Sequence, residues 1–450
     1  MFPRFTARPR ALARALGSSL GLFITSAAAL QAWAAEGPYP FAGETIGTAR
    51  QVYEGGLLPS VAINTYRNID RLFPSRTIKA SDQPTRLPMA DTSLTDVTFS
   101  YQDKAYNLNS FLKLDSITAL LVIKDGRIVH ESYQYGNTAQ TRWMSMSMAK
   151  SVTSTLAGIA IKEGLIKSVD AQVTDYVPSL KGSAYDGVTI RDVLRMSSGV
   201  KWNENYTAPD SNRRALLDAQ IAQKPGAALA MMGQLPRVAP PGTVFNYNTG
   251  EAQVLSEVVR AAVKKPLSDY LSEKVWQPYG MEADATWWLD SANGTEIGGS
   301  GISATLRDYG RFGLFFMNEG RVNGTSVLPA GWVHDATAAR TLANGKKVGY
   351  GYMWWAGSSD TAVQHGAYAA MGVQGQNIFI DPAEKVVIVT FGAQPRPLNQ
   401  DAINPMAFFD AVVSTLATPT GVPGEVLAQS RPAEARNYPQ AAQVGTTSVR

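Results

Sequence analysis

The stretch Trp143-Met-Ser-Met-Ser147-Met-Ala-Lys150-Ser-Val-Thr-Ser-Thr-Leu-Ala-Gly158 constrains this chain more than any other. Met148, Val152, Leu156 and Ile159 recur at helical spacing, so a helix opening at Ser147 has an apolar stripe to bury. Gly164 can close it. A fold that buries this helix takes its first turn along, and that turn carries Ser147 and Lys150 at i, i+3, on one face. A hydroxyl beside an amine is a nucleophile beside a base, provided the amine can shed its proton. Free lysine titrates near ~10.4. Burial among apolar groups and a nearby positive charge both lower that value.

Ser-x-x-Lys arises by chance roughly once or twice in a chain of this length. A second copy, Ser110-Phe-Leu-Lys113, precedes a strand-like run instead of opening a long helix. On spacing alone, Ser147 reads equally as a helix-start serine with a solvated lysine nearby. The surrounding sequence has to decide.

The chain has 450 residues, 45% hydrophobic and 17% charged, enough for a large core. Its formal net charge of +4 is partly the N-terminal arginines, and the composition gives no argument for nucleic acid. Arg4, Arg8, Arg10 and Arg14 head an apolar stretch from Leu16 to Leu30, and Ala32-Trp33-Ala34 is a small-x-small site. Residues 1–34 therefore read as a cleaved secretory leader, with a periplasmic or secreted product. The leader has no Arg-Arg pair, which favours the general secretory route. The alternative is an uncleaved anchor; no other run is long and apolar enough to span a bilayer. There is no cysteine, hence no disulfide or thiolate. The three histidines, His130, His334 and His365, are scattered and form no His-Glu-x-x-His pattern, so neither a metal site nor a cofactor is expected.

Residues 35–110 read as an extension packed on the core, without chemistry of its own. Ile117 to Ile123 is a buried-strand run, Lys124-Asp-Gly-Arg127 a turn, and Ile128-Val-His130 a return strand. His130 reads as a strand residue. From about 165 to 285 the pattern is helical and loop-like. Val188 to Met196 suggests a short helix stopped at Gly199. Trp202-Asn-Glu-Asn-Tyr206-Thr-Ala-Pro209-Asp210 reads as a surface loop. Tyr247 falls between the Pro240-Pro241-Gly242 turn and a helix through Val254, Val258 and Ala262; packing alone would also account for it. Gly298 to Gly301 lacks the Gly-Lys-Ser/Thr ending of a phosphate loop. A helix follows through Tyr309, Phe312 and Phe315. Tyr350 to Trp355, Gln376 to Ile380 and Val386 to Phe391 read as strands of one antiparallel sheet. Residues 421–450 read as a poorly ordered tail. The fold class is α+β: an antiparallel sheet with flanking helices, interrupted by a helical lobe, with a cleft between the two.

Four blocks occur in order: Ser147-Met-Ala-Lys150; Ser183-Ala-Tyr-Asp-Gly-Val-Thr-Ile-Arg-Asp-Val-Leu-Arg-Met-Ser-Ser-Gly-Val200; Phe245-Asn-Tyr247-Asn-Thr249; and Gly372-Val-Gln-Gly-Gln-Asn-Ile-Phe-Ile-Asp-Pro382. Together they resemble the serine β-lactamase-related superfamily, above all the class C-like branch with 6-aminohexanoate-dimer hydrolases and related esterases. The resemblance covers roughly residues 110–415, within a catalytic domain expected over 111–420. It implies Ser147 as acylated nucleophile, Lys150 as the buried lysine that deprotonates it, and Tyr247 as proton shuttle to the leaving group. It implies the Ser147 and Val373 amides as oxyanion donors, and Tyr206, in a segment similar to a substrate-contacting loop, as a residue at the scissile amide. Lysine and tyrosine around one hydroxyl can replace the histidine of a Ser-His-Asp triad. Two departures stand out. Thr249 occupies the position of the class C asparagine, and no Lys-Thr-Gly occurs. His365-Gly366-Ala367 and the run from Gly372 to Gln376 are the candidates for that strand, making His365 and Gly372 candidate substrate contacts. The expectation is an exported serine hydrolase acting on a small linear amide or ester. A β-lactamase or cell-wall peptidase is the alternative, and a non-catalytic penicillin- or peptide-binding relative is a third. Oligomeric state is left open.

Overall fold

Ile117–Lys124 shows how the apolar runs are used. In this computed structural model it is a strand whose alternate side chains enter two different cores. Ala119, Leu121 and Ile123 face one core, and Ile117, Leu120 and Val122 the other. Both faces are covered, so the strand reads as a continuous apolar run instead of an alternation. Val386–Gly392 beside it does the same. The structure describes residues 39–342, 344–399 and 401–417, so the expected leader over 1–34 and tail over 421–450 lie outside it. The described residues from Gly43 onward cluster as one compact unit, and 39–42 form a short turn.

Two antiparallel sheets frame the molecule. The larger runs, in spatial order, Trp355–Ala356, Tyr368–Gly372, Gln376–Asp381, Val386–Gly392, Ile117–Lys124 and Arg127–Tyr133. One of its faces is covered by the helix Leu306–Met317 and the helix Met148–Lys162, the other by Leu108–Leu114 and Pro405–Leu416. The smaller sheet runs Ser75–Ile78, Ala285–Trp288, Ile302–Thr305 and Arg142–Met144. Its outer strand comes from the extension, which is thus paired into the fold. Arg142–Met144 leads through Ser145 and Met146 into the Ser147 helix, which is buried from Met148 to Ala160. The lobe supplies short helices and one long one, Thr249–Val263, packed against the Ser147 helix. Among the described residues no helix is long and apolar enough to cross a membrane.

The stretch from Tyr350 to Trp355 corrects the sequence expectation. It is a turn, and only Trp355–Ala356 joins the large sheet. Met353 has φ 59°, outside the strand region. Ser151 Oγ donates to the Met353 carbonyl at 2.7 Å and Ser154 Oγ to the Tyr352 carbonyl at 2.8 Å. Aromatic composition suggests a strand here, but the carbonyls are claimed by serines of the Ser147 helix.

Candidate active site

Ser147 sits where the two sheets meet. Just before it, Met146 adopts φ 42°, a conformation a bulky residue holds only under constraint. The constraint is visible: Met146 is buried, and its sulfur accepts the Tyr53 hydroxyl at 3.6 Å. Gly372 lies on the other side. A Cβ there would stand 2.6 Å from the Ser145 carbonyl and 3.0 Å from Met146 Cβ. Only glycine lets the end of this strand approach the nucleophile turn so closely. Val373 follows it and lines the cleft with Ser147.

Lys150 Nζ donates to Ser147 Oγ at 2.8 Å and to the Gly299 carbonyl at 3.1 Å. The lysine is 1% exposed, and burial brings its amine down to about 7; Glu204 opposes this and Arg213 assists it. The glycine run is therefore a carbonyl shelf beside the lysine. Thr153 Oγ1 donates to the Gly298 carbonyl, and a Cβ on Gly298 would meet the Ala252 carbonyl at 2.3 Å.

Tyr247 comes from the loop ahead of Thr249–Val263, whose cap Asn248 accepts the Glu251 N–H at 3.2 Å. Its ring stacks on Trp355 (5.6 Å, 23°) and meets Tyr350 edge-on. The Lys150 amine is 5.2 Å from the ring centroid, and the phenol is within hydrogen-bonding reach of Ser147. Burial pushes the phenol up and Glu204 adds to it, so Tyr247 keeps its proton at neutral pH.

The lobe side departs from the expected surface loop. Trp202 and Glu204 are buried. Glu204 accepts from Trp202 Nε1 (2.5 Å), Thr249 N (3.0 Å) and Thr249 Oγ1 (2.5 Å), so the threonine in place of asparagine is tied to a carboxylate. The Tyr206 hydroxyl also bonds Glu204, and its ring stacks 6.4 Å from Tyr53 at 3°. Arg213 lies over the Tyr53 ring at 4.3 Å, with Nε 4.0 Å from Glu204. Tyr53 belongs to the helix Ala49–Glu54 of the extension. That helix is clamped to the lobe by Arg50–Asp218 and Glu54–Arg214, both at 2.6 Å, and its Val52 carbonyl accepts Gln374 Nε2 at 2.9 Å. The expectation that the extension carries no chemistry is corrected: one wall of the cleft comes from it.

These residues line a narrow, open cleft, bordered by Tyr53, Ser147, Lys150, Tyr206, Arg213 and Val373 among others. His365 is not among them. It sits at the other end of the Tyr368–Gly372 strand from Gly372, with Nδ1 2.7 Å from Asp381 Oδ2, so its candidacy as a substrate contact is corrected. His130 lies on the outer strand of the large sheet and His334 is exposed. Ser110 Oγ is spent in a capping box, accepting the Asn107 N–H at 2.7 Å. Among the described residues no group of three or more His, Asp or Glu side chains converges to hold a metal ion.

Tyr53, Glu204, Arg213 and Ser300 escaped the sequence reading. Arg213 had a signal: it shares a helical face with Leu216 and Leu217, a cation on an apolar stripe.

A model of the Beta-lactamase family matches residues 118–412. The chain is 29% identical over 293 residues to the 6-aminohexanoate-dimer hydrolase of Paenarthrobacter ureafaciens, covering 62% of this chain and 73% of that one. Among solved structures it is similar to a Bacillus anthracis protein assigned as a candidate 6-aminohexanoate-dimer hydrolase. There the TM-score is 0.67 at 26% identity, over 78% of this chain and 91% of that one. A family VIII carboxylesterase shares the fold, with TM-score 0.51 and 17% identity over 66% and 91% of the two chains.

Proposed function

We propose that this chain, which belongs to the beta-lactamase family, hydrolyses small linear amides or esters through an acyl-enzyme on Ser147. The observation that carries the reading is the 2.8 Å bond from a buried Lys150 amine to Ser147 Oγ. With its amine near 7, Lys150 is substantially free base at neutral pH and takes the Ser147 proton as Oγ attacks the carbonyl carbon. The oxyanion that forms is stabilised by the Ser147 and Val373 N–H groups. Tyr247, protonated and beside both Ser147 and Lys150, passes a proton to the departing nitrogen or oxygen. Water then attacks the acyl-enzyme, with the same groups acting in reverse.

Linear substrates rank above β-lactams because no Lys-Thr-Gly supplies a cation for the β-lactam carboxylate. The 6-aminohexanoate-dimer hydrolases among the relatives support the amide side, and the carboxylesterase fold is compatible with the ester side. Export belongs to the same proposal, supported by the basic head and small-x-small site within residues 1–34. N-terminal sequencing of protein expressed with its leader tests that part.

Turnover of p-nitrophenyl esters, short amide oligomers and nitrocefin by purified protein tests the reaction. Hydrolysis of the linear substrates together with fluorophosphonate labelling is expected, with nitrocefin the poorest substrate. Efficient nitrocefin hydrolysis without linear turnover favours the β-lactamase alternative, and labelling without any turnover favours the binding protein.

A further inference from the structure

Tyr247 belongs to a cluster of four rings, and the acylation machinery uses only its hydroxyl. Tyr350 stands at the centre, 5.3 Å from Phe245 and 4.6 Å from Trp355, and the Phe245 and Trp355 rings meet nearly at right angles, 6.5 Å apart. Tyr350 is buried, whereas Phe245 and Trp355 are only partly covered. Single apolar residues at a surface need no explanation. A pair of large rings left open beside a reactive group marks a place for an apolar ligand.

Both rings hold a fixed place relative to Ser147. Trp355 follows the turn whose Tyr352 and Met353 carbonyls accept the Ser154 and Ser151 hydroxyls of the Ser147 helix. Its backbone pairs with Ala369, on the strand that ends beside Val373. Phe245 is placed by its neighbour Asn246, whose N–H donates to the Met196 carbonyl at 2.9 Å and whose Nδ2 donates to the Trp202 carbonyl at 3.1 Å. A wall this well anchored loses little freedom when it takes up a ligand.

Tyr247 decides which half of the substrate meets the wall. Its phenol hands a proton to the leaving atom as the bond from that atom to the carbonyl carbon breaks. The group carried by the leaving atom therefore emerges beside Tyr247, along the indole stacked on it. We propose that Phe245 and Trp355 form a leaving-group subsite, and that the preferred substrates are esters or amides whose alcohol or amine carries an alkyl chain. This rests on the reading of Ser147 as the acylated residue and Tyr247 as the proton donor.

Alkyl acetates isolate this half of the substrate. Methyl, butyl and hexyl acetate share one acyl group, and their alcohols ionise almost alike, so intrinsic reactivity keeps the series level. Methyl butyrate and methyl hexanoate lengthen the acyl half instead. Rates are expressed per active site titrated with a fluorophosphonate, so misfolded protein does not count. In the wild type, kcat/KM rises at least about tenfold from methyl to hexyl acetate, since each methylene taken fully out of water is worth about fourfold. Trp355→Ala brings that ratio within about twofold of one, Trp355→Phe keeps most of it, and Phe245→Ala lowers it about threefold. The ratio of methyl hexanoate to methyl acetate stays at its wild-type value in all three. A displaced Tyr247 would slow every ester alike and leave the ratios unchanged, so a lost contact is told from lost positioning. Should Trp355→Ala give no titratable site, Phe245→Ala decides. A level alkyl acetate series in the wild type, a ratio intact in the variants, or a loss shared equally by the acyl series overturns the subsite and leaves acyl transfer standing. If none of the esters is hydrolysed, the reading of Ser147 falls. Saturation-transfer NMR with hexan-1-ol then decides the subsite: a signal with the wild type that is lost in Phe245→Ala upholds it, and no signal, or one that persists in the variant, overturns it.

Discussion

Lys150 bonds a hydroxyl and a carbonyl in a place that water barely reaches, and its titration follows from that. Burial lowers the amine to about 7, so the free base dominates above that pH and the ammonium below it. Initial rates should show kcat/KM rising with pH, half-maximal near 7 and level above. Lys150→Ala and Tyr247→Phe should each lower kcat about a hundredfold or more, whereas His365→Ala and His334→Ala should stay within about tenfold. A histidine change as damaging as loss of Ser147 would point to a different base. Ser147→Ala should abolish turnover and fluorophosphonate labelling. Ser110→Ala should keep both, at a cost of no more than about 1 kcal/mol in stability for the one hydrogen bond its Oγ accepts from the Asn107 N–H. Tyr206 touches Glu204 through its hydroxyl and lines the cleft. If it also meets the scissile amide nitrogen, Tyr206→Phe depresses amide hydrolysis at least about tenfold more than ester hydrolysis. Equal losses would leave it with a packing role. The serine and lysine were legible because they stand three residues apart at the start of one long apolar helix, a setting that the second Ser-x-x-Lys copy at Ser110 lacks. Tyr53 and Arg213 were not, because their meeting depends on how two distant helices are clamped together.

At the scale of elements, the approach of the Tyr368–Gly372 strand to the Ser145–Met146 turn sets where Val373 stands. Gly372→Ala places a methyl 2.6 Å from the Ser145 carbonyl, and both elements have to part. We expect a loss in acylation rate of about a hundredfold, out of proportion to a Tm shift of a few degrees. Stopped-flow labelling alongside thermal melts separates the two. Strands and helices with a single dominant period, such as Ile117–Lys124 and Thr249–Val263, could be read from their apolar spacing. The Tyr350–Trp355 turn could not, because what bends it is a pair of serine hydroxyls on the Ser147 helix. The loop around Glu204 misled for a related reason: asparagine and proline mark it as a turn, but nothing local says that its carboxylate is buried under Thr249.

The whole molecule buries several carboxyl groups that hold their protons unusually well. Burial raises Glu251 to about 8, Asp115 to about 7 and Asp308 to about 6. Each binds its proton more tightly folded than unfolded, so each contributes stability that is present at low pH and lost as pH rises through its folded value. Lys150 acts oppositely, but only above about 7. Tm should therefore be higher at about pH 5 than at about pH 8, and Glu251→Gln should flatten the difference; scanning calorimetry at the two pH values checks both. One further consequence belongs to the helix Ala49–Glu54. It lies outside the 118–412 segment that defines the family, yet its Tyr53 ring lies under the Arg213 guanidinium. A segment outside the family's own boundaries thus holds both walls of the site at once: Tyr53 bonds the Met146 sulfur just ahead of Ser147, and the Val52 carbonyl takes the Gln374 amide just after Val373, so removal of these six residues should disturb the nucleophile turn as well as the lobe side.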